Sequence, residues 1–181
     1  MRALLDACVI YPTVMREVLL GAAKAGLYRP LWSDRILEEW ARATRRLGPE
    51  AEAIARGDIA IMRGQWPAAN VNPKAGDLAR LWLPDENDIH VLAAAIAGSA
   101  DTIVTMNAKD FPRQILQDEG VRRIDPDGFL YDLWLDHSEV MEDVAHAVHA
   151  EAERLSGQEL DIRKLFKKAK LHRFSKAISV T

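Results

Sequence analysis

Polar and apolar positions alternate between strand-like and helix-like periods through the first three quarters of the chain, which predicts an α/β domain with a mainly parallel sheet. The opening run, Arg2 to Ala7, reads as a buried strand that contains one carboxylate, Asp6. Tyr11-Pro12-Thr13 turns into a helix with Val14, Val18, Leu19 and Ala22 on one face and Gly26 as its stop. A short extended piece, a Ser33 N-cap and a helix through Arg46 follow, then Gly48-Pro49 and a third helix from Glu50 to Met62. The Pro-, Gly- and Asn-punctuated stretch 64–83 is expected to be a loop, with at most a short strand near Ala69–Val71. A helix from Asn87 to Ala97 is apolar on nearly every side and must be buried; a strand at Thr102–Thr105 and a polar loop follow it. A strand at Val121–Ile124 and a helix near Asp127–Leu135 complete this part. From His137 the pattern is purely helical, with an expected stripe of Val140, Val144, Val148, Ala152 and Leu155. The expected division is a domain over 1–136 and a helical C-terminal extension over 137–181.

Carboxylates change this picture most. In open α/β sheets, ligands gather beyond the carboxyl ends of the parallel strands, where Asp6 falls. A buried carboxylate needs a cation, donors or a proton, and a turn cap through Ala7 and Cys8 is the plain alternative. On the next helix, Leu37, Trp40, Thr44 and Leu47 share a face; Glu38 points away from it to solvent and Glu39 sits at its edge. Glu39 is the better ligand candidate, against an ordinary pairing with Arg42 or Arg46. In "PDENDIH", Asp85 or Asn87 is placed to cap the buried helix, and Asp88 lies in its first turn, where the helix dipole alone favours an acid. "IVTMNAKDF" ends a strand in Thr105, Asn107, Lys109 and Asp110, either turn formers or oxygen ligands. Singly each is ordinary; jointly, four acids from distant segments are expected at one edge of one sheet.

"LLDACVIYP", "ILEEW" and "PDENDIHVLAAAIAGSADTIVTMNAKDF" resemble the motifs of PIN-domain ribonucleases, specifically the VapC-like toxins of bacterial toxin–antitoxin pairs, over about Met1 to Leu135. The resemblance implies a three-layer α/β/α fold and a Mg²⁺- or Mn²⁺-dependent endoribonuclease. Its acidic quartet would be Asp6, Glu39, Asp88 and either Asp110 or Asn107, with all five as metal-site candidates. It also implies a cognate antitoxin that silences the enzyme, and a homodimer. Cys8 stands where many relatives carry Asn, and Asn107 where many carry the fourth Asp. A non-catalytic RNA- or protein-binding module on the same fold is the alternative; a phosphate-transfer domain with Asp6 as acceptor ranks last, for want of an acidic pair and a matching lysine.

Composition adds bounds. A hydrophobic fraction of 49% and a charged fraction of 28% are those of a globular protein. No apolar run approaches a membrane span, and no basic segment followed by a long apolar stretch opens the chain, so a cytoplasmic location is the default expectation. Cys8, the single cysteine, excludes an internal disulfide and a cysteine-rich zinc site. The net charge of -3 hides an uneven distribution, because Arg163, Lys164, Lys167, Lys168, Lys170 and Arg173 form a dense basic run. That run reads first as a solvated helix face, with RNA phosphates as the functional reading. His146 and His149 lie off the apolar stripe and read as exposed. Trp66 and Trp82 flank the long loop and are the tryptophans to test for base stacking.

Overall fold

Four short strands, β1 (Arg2–Leu5), β2 (Arg29–Leu31), β3 (Thr102–Val104) and β4 (Arg122–Ile124), form one all-parallel sheet in the order β2-β1-β3-β4. The computed structural model describes residues 1–178; positions 179–181 of the expected extension lie outside the described residues. Helices α1 (Ala7–Ile10), α2 (Thr13–Lys24), α3 (Asp34–Ala43), α4 (Pro49–Gln65), α5 (Ala75–Arg80), α6 (Ile89–Ala97) and α7 (Arg113–Asp118) come before β4; α8 (Pro126–Asp136), α9 (Ser138–Ser156), α10 (Ile162–Lys168) and α11 (His172–Ile178) follow it. This is the expected α/β/α class with a parallel sheet and a helical C-terminal part. The chain divides into two compact units, one of residues 1–11 and 29–124, the other of residues 12–28 and 125–181.

The first unit holds the whole sheet. Its central strands are buried because Ala3, Leu4, Leu5, Ile103 and Val104 are all apolar, the continuous pattern of a parallel sheet covered on both faces. After β1 the chain goes to β2 on one side and later to β3 on the other, so β1 and β3 flank the point where the strand order reverses. Ligand sites of open α/β sheets form there. In α6, His90 to Ala95 are all buried, as its composition required. Gly98 ends it closely packed: a Cβ there would lie 2.7 Å from Leu31 Cδ1 and 3.1 Å from Val71 Cγ1.

Several boundaries differ from expectation for local reasons. β1 stops at Leu5, and Asp6 turns the chain into α1. Ser33 does cap α3, its Oγ accepting from Ile36 N at 3.2 Å, but the helix tightens to a 3-10 turn at Thr44–Leu47 before Gly48, whose φ is +113°. The stretch 64–83 is more ordered than a loop: α5 lies within it, and Asn70 bridges to Trp32 where the short strand was expected. Likewise α7 occupies what read as polar loop.

In the second unit, Gly21 of α2 lets α9 approach, since a Cβ there would lie 2.6 Å from Val144 Cγ1. The buried face of α9 is Met141, Val144 and Ala145; Val140 and Leu155 are 37% and 68% exposed, so the expected stripe is rotated toward Met141. His149 is half-buried rather than exposed, with Nε2 2.5 Å from the Leu160 carbonyl. Phe166 and Phe174 pack α10 on α11, ring centroids 5.4 Å apart.

Candidate metal centre

Asp6 is the first residue past β1, and its backbone N–H donates to the Val104 carbonyl at 3.2 Å, the last rung between β1 and β3. That rung fixes the carboxylate beside Thr105, the first residue past β3. Thr105 Oγ1 donates to Asp6 Oδ2 at 2.7 Å and accepts from Asn107 N–H at 3.0 Å. Cys8 adds a thiol donor to the same oxygen at 3.1 Å, and its sulfur accepts from Met106 N–H at 3.3 Å. Asp6 is only 7% exposed, so these donors answer the question its burial raises. Burial and then the Asp6 charge push the Cys8 thiol up to about 12, so in the metal-free protein it stays protonated as a donor to Asp6.

Before α6, Asp85 and Asp88 of the "PDEND" turn divide their tasks. Asp85 caps the 3-10 turn Glu86–Asp88 that leads into α6: its Oδ1 accepts from Asn87 N at 2.9 Å and Asn87 Nδ2 at 3.0 Å. Asp88 occupies the N-cap of α6 without any side-chain cap hydrogen bond. Its carboxylate instead accepts from Asn107 Nδ2 at 3.1 Å. Capping therefore explains Asp85 and leaves Asp88 unaccounted for. Carboxylate oxygens of Asp85, Asp88 and Asp110 all lie within 4.8 Å of one another. Burial first, then the charges of Asp6, Asp85 and Asp110, push the Asp88 carboxyl up to about 6, with His90 opposing. Negative charge is concentrated here, and among the described residues no Lys or Arg forms an ion pair with Asp85, Asp88 or Asp110.

Glu39 stands outside the three-acid group. Its Oε1 lies 3.1 Å from Arg35 Nε and 2.9 Å from His90 Nε2. The latter contact lies off the ring N–H axis, a close approach and not a hydrogen bond. Burial works to raise the Glu39 carboxyl, but His90 and Arg35 together outweigh it and hold the carboxyl below its ordinary range. Arg35 also donates to the Asn87 carbonyl at 3.3 Å, linking α3 to the turn that carries Asp85 and Asp88. Glu38 does not simply face solvent: it accepts from Arg42 at 2.8 Å and from Arg56 of α4 at 2.9 Å.

Of the residues expected at the site, the fold thus gathers Asp88, Asp110 and Asn107, couples Asp6 to them through Thr105 and through charge, and holds Glu39 against Arg35 and His90. Two participants were missed as such. Asp85 read only as a cap, although three acids within four residues were the signal. His90 is 2% exposed and the one polar residue of an otherwise apolar α6, which is itself a signal. Trp82 is 63% exposed, while Trp66 packs edge-on against buried Trp32, centroids 6.1 Å apart.

An all-oxygen donor set with a crowded, partly buried carboxylate fits a hard divalent cation, which takes a few carboxylates and keeps waters. The sequence model that describes the PIN domain matches residues 2–109, more than half of the chain and all of the residues just described except Asp110. The chain belongs to the PIN domain family. Among curated proteins, a segment of 61 residues is 41% identical to one from Mycobacterium tuberculosis (strain ATCC 25618 / H37Rv) described as "Putative ribonuclease VapC50". The match covers 34% of this PIN-domain chain and 34% of that relative, so the chain spans about a third of the curated protein it resembles. No solved structure matches it significantly. Among the described residues, no helix is long and apolar enough to cross a membrane.

Proposed function

We propose that this PIN-domain protein is a Mg²⁺- or Mn²⁺-dependent endoribonuclease of the VapC-like toxin class. A cognate antitoxin protein silences it, and it acts as a homodimer. The observation that carries this reading is the convergence of Asp85, Asp88 and Asp110 within 4.8 Å, beside Asp6, at the carboxyl ends of β1 and β3. Its likeness to a protein described as a VapC ribonuclease supports the choice of RNA as substrate.

Asp85, Asp88 and Asp110 would hold the ion, and Asp6 would bear on it through its charge and the Thr105 bridge. Asn107 steadies Asp88, and Glu39 keeps His90 and Arg35 in place at the margin. When bound, the ion supplies Lewis acidity, lowering the pKa of a water and neutralising charge that develops on the phosphate. The chain's part is to hold four carboxylates in a place that would otherwise repel phosphate outright.

A cleavage assay on defined transfer and ribosomal RNAs, with Mg²⁺, with Mn²⁺ and with chelator, tests this reading. Cation-dependent cleavage that Asp88→Asn abolishes is the expected result. RNA binding without cleavage under any cation would favour the non-catalytic module.

A further inference from the structure

The second unit carries a charge pattern that the acidic site does not use. Residues 157–178 hold seven Lys and Arg against two acids, a local +5 in a chain of net -3, so the remainder carries -8. All seven cations are exposed, because Phe166, Leu171 and Phe174 take the inward positions of α10 and α11. Among the described residues none of them pairs with a carboxylate. In the first unit, by contrast, Arg42, Arg45, Arg56, Arg63 and Arg80, about half of its exposed arginines, are each bound to an acid. A cation is kept even at Lys170, between α10 and α11, where φ is +62° and glycine is the easier residue.

Beside these cations lies a planar ladder. Arg173 sits over the Tyr131 ring, 4.4 Å from its centroid, and Tyr131 stacks on Trp134 at 5.9 Å and 21°. Tyr131 and Trp134 are half-buried, one helical turn apart on α8. The Trp134 indole N–H is turned to Glu142 at 3.4 Å. Arg173 is fixed by Asp127, whose carboxylate accepts from Arg173 N at 2.9 Å and from Phe174 N at 3.0 Å at the start of α11. Asp127 thus anchors the backbone of Arg173, and the guanidinium carbon stands over an aromatic ring with, among the described residues, no acid paired to its N–H groups.

Unpaired ammonium groups suit phosphates, and a guanidinium–aromatic ladder suits unstacked bases. We infer that the exposed face of α8, α10 and α11 is an RNA-binding surface, Lys164, Lys167 and Lys168 contacting phosphates and the Arg173–Tyr131–Trp134 ladder contacting a base of a single strand. This rests on the reading of the chain as a ribonuclease for its choice of RNA. An acidic protein segment would engage the cations but leave the ladder without a role.

The test is fluorescence anisotropy of labelled oligouridine with the full chain across a salt series, in chelator, so that binding is read whether or not the chain cleaves RNA. Lys164→Glu/Lys167→Glu/Lys168→Glu is expected to weaken binding about tenfold or more and to flatten the log–log salt slope by about two, given roughly 0.7 per phosphate contact on single strands. The neutral triple Lys164→Gln/Lys167→Gln/Lys168→Gln, which adds no repulsion, is expected to move in the same direction, and circular dichroism checks that both retain their helices. Arg173→Lys keeps the charge and loses the plane; it is expected to weaken oligouridine several-fold and leave binding of inorganic polyphosphate as it was. Unchanged RNA binding in either folded triple variant overturns the inference, as does polyglutamate competing as well as RNA. Unchanged oligouridine binding in Arg173→Lys removes the ladder from it. Failure of the ribonuclease reading shows instead as absent cleavage in the cation assay.

Discussion

Thr105 Oγ1 donates to Asp6 Oδ2 at 2.7 Å, joining the residues that follow the two central strands of the sheet. Thr105 is 2% exposed and Asp6 7%, so the bond is out of water and tied to a charge. Thr105→Val keeps the shape, removes the donor and is expected to cost about 1.5–3 kcal/mol, the range for hydrogen bonds to charged groups. RNA cleavage is expected to fall with it, and Thr105→Ser to restore much of both. Thermal unfolding and initial cleavage rates on the three proteins check this.

Asp88 sets a pH dependence. Its ordinary value is 3.8 and the fold raises it to about 6, so the folded state favours the protonated form. In the cation-free protein that contribution is full below about pH 3.8 and is lost as pH rises through about 6. A cation needs the ionised form, so its affinity rises over the same window with release of a proton. Denaturant titrations in chelator between these limits are expected to show stability declining with pH in the native sequence, and a flatter profile in Asp88→Asn.

Glu38 and Glu39 are neighbours with different duties. Glu38 holds Arg56 across the α3–α4 seam at 2.9 Å, an exposed pair, so Glu38→Gln is expected to change stability little and cleavage hardly at all. Glu39 lies 2.9 Å from the buried His90, and Glu39→Gln is expected to cut cleavage at least tenfold by releasing His90 and Arg35. Steady-state kinetics on the pair, with a melting curve for each, read the difference; equal losses would contradict it.

Gly21→Ala places a methyl 2.6 Å from Val144 Cγ1, and a β-branched side chain has few rotamers with which to yield. The expected cost is about 1–3 kcal/mol, as for overpacked cores. Val144→Ala on top of it is expected to recover part of the loss, which a double-mutant cycle by thermal unfolding measures.

The parallel sheet, the buried α6 and the placement of Asp6 were legible because each is local: apolar runs, a glycine stop, a carboxylate at a strand end. Ser33 was legible as a cap for the same reason. What stayed hidden depends on partners brought from afar. Nothing near Asp85 says that Asp110 will lie within 4.8 Å of it, and nothing in α3 says that Glu39 will meet His90 of α6 rather than Arg42. The rotation of the α9 stripe toward Met141 has a similar origin, since the packing of Val144 against Gly21 decides which flank is covered. α5 was obscured by the prolines and glycines around it, which mark the ends of a short helix as readily as a loop.

The central claim is that acids from separate segments form one site for a hard divalent ion. Titration of Mn²⁺ into the full chain, followed by calorimetry near pH 7, tests it most directly. The account predicts a saturable site that Asp88→Asn weakens at least tenfold while the fold, by circular dichroism, stays intact. Mn²⁺ binding of undiminished affinity in Asp88→Asn, or no saturable binding in the native sequence, would contradict it.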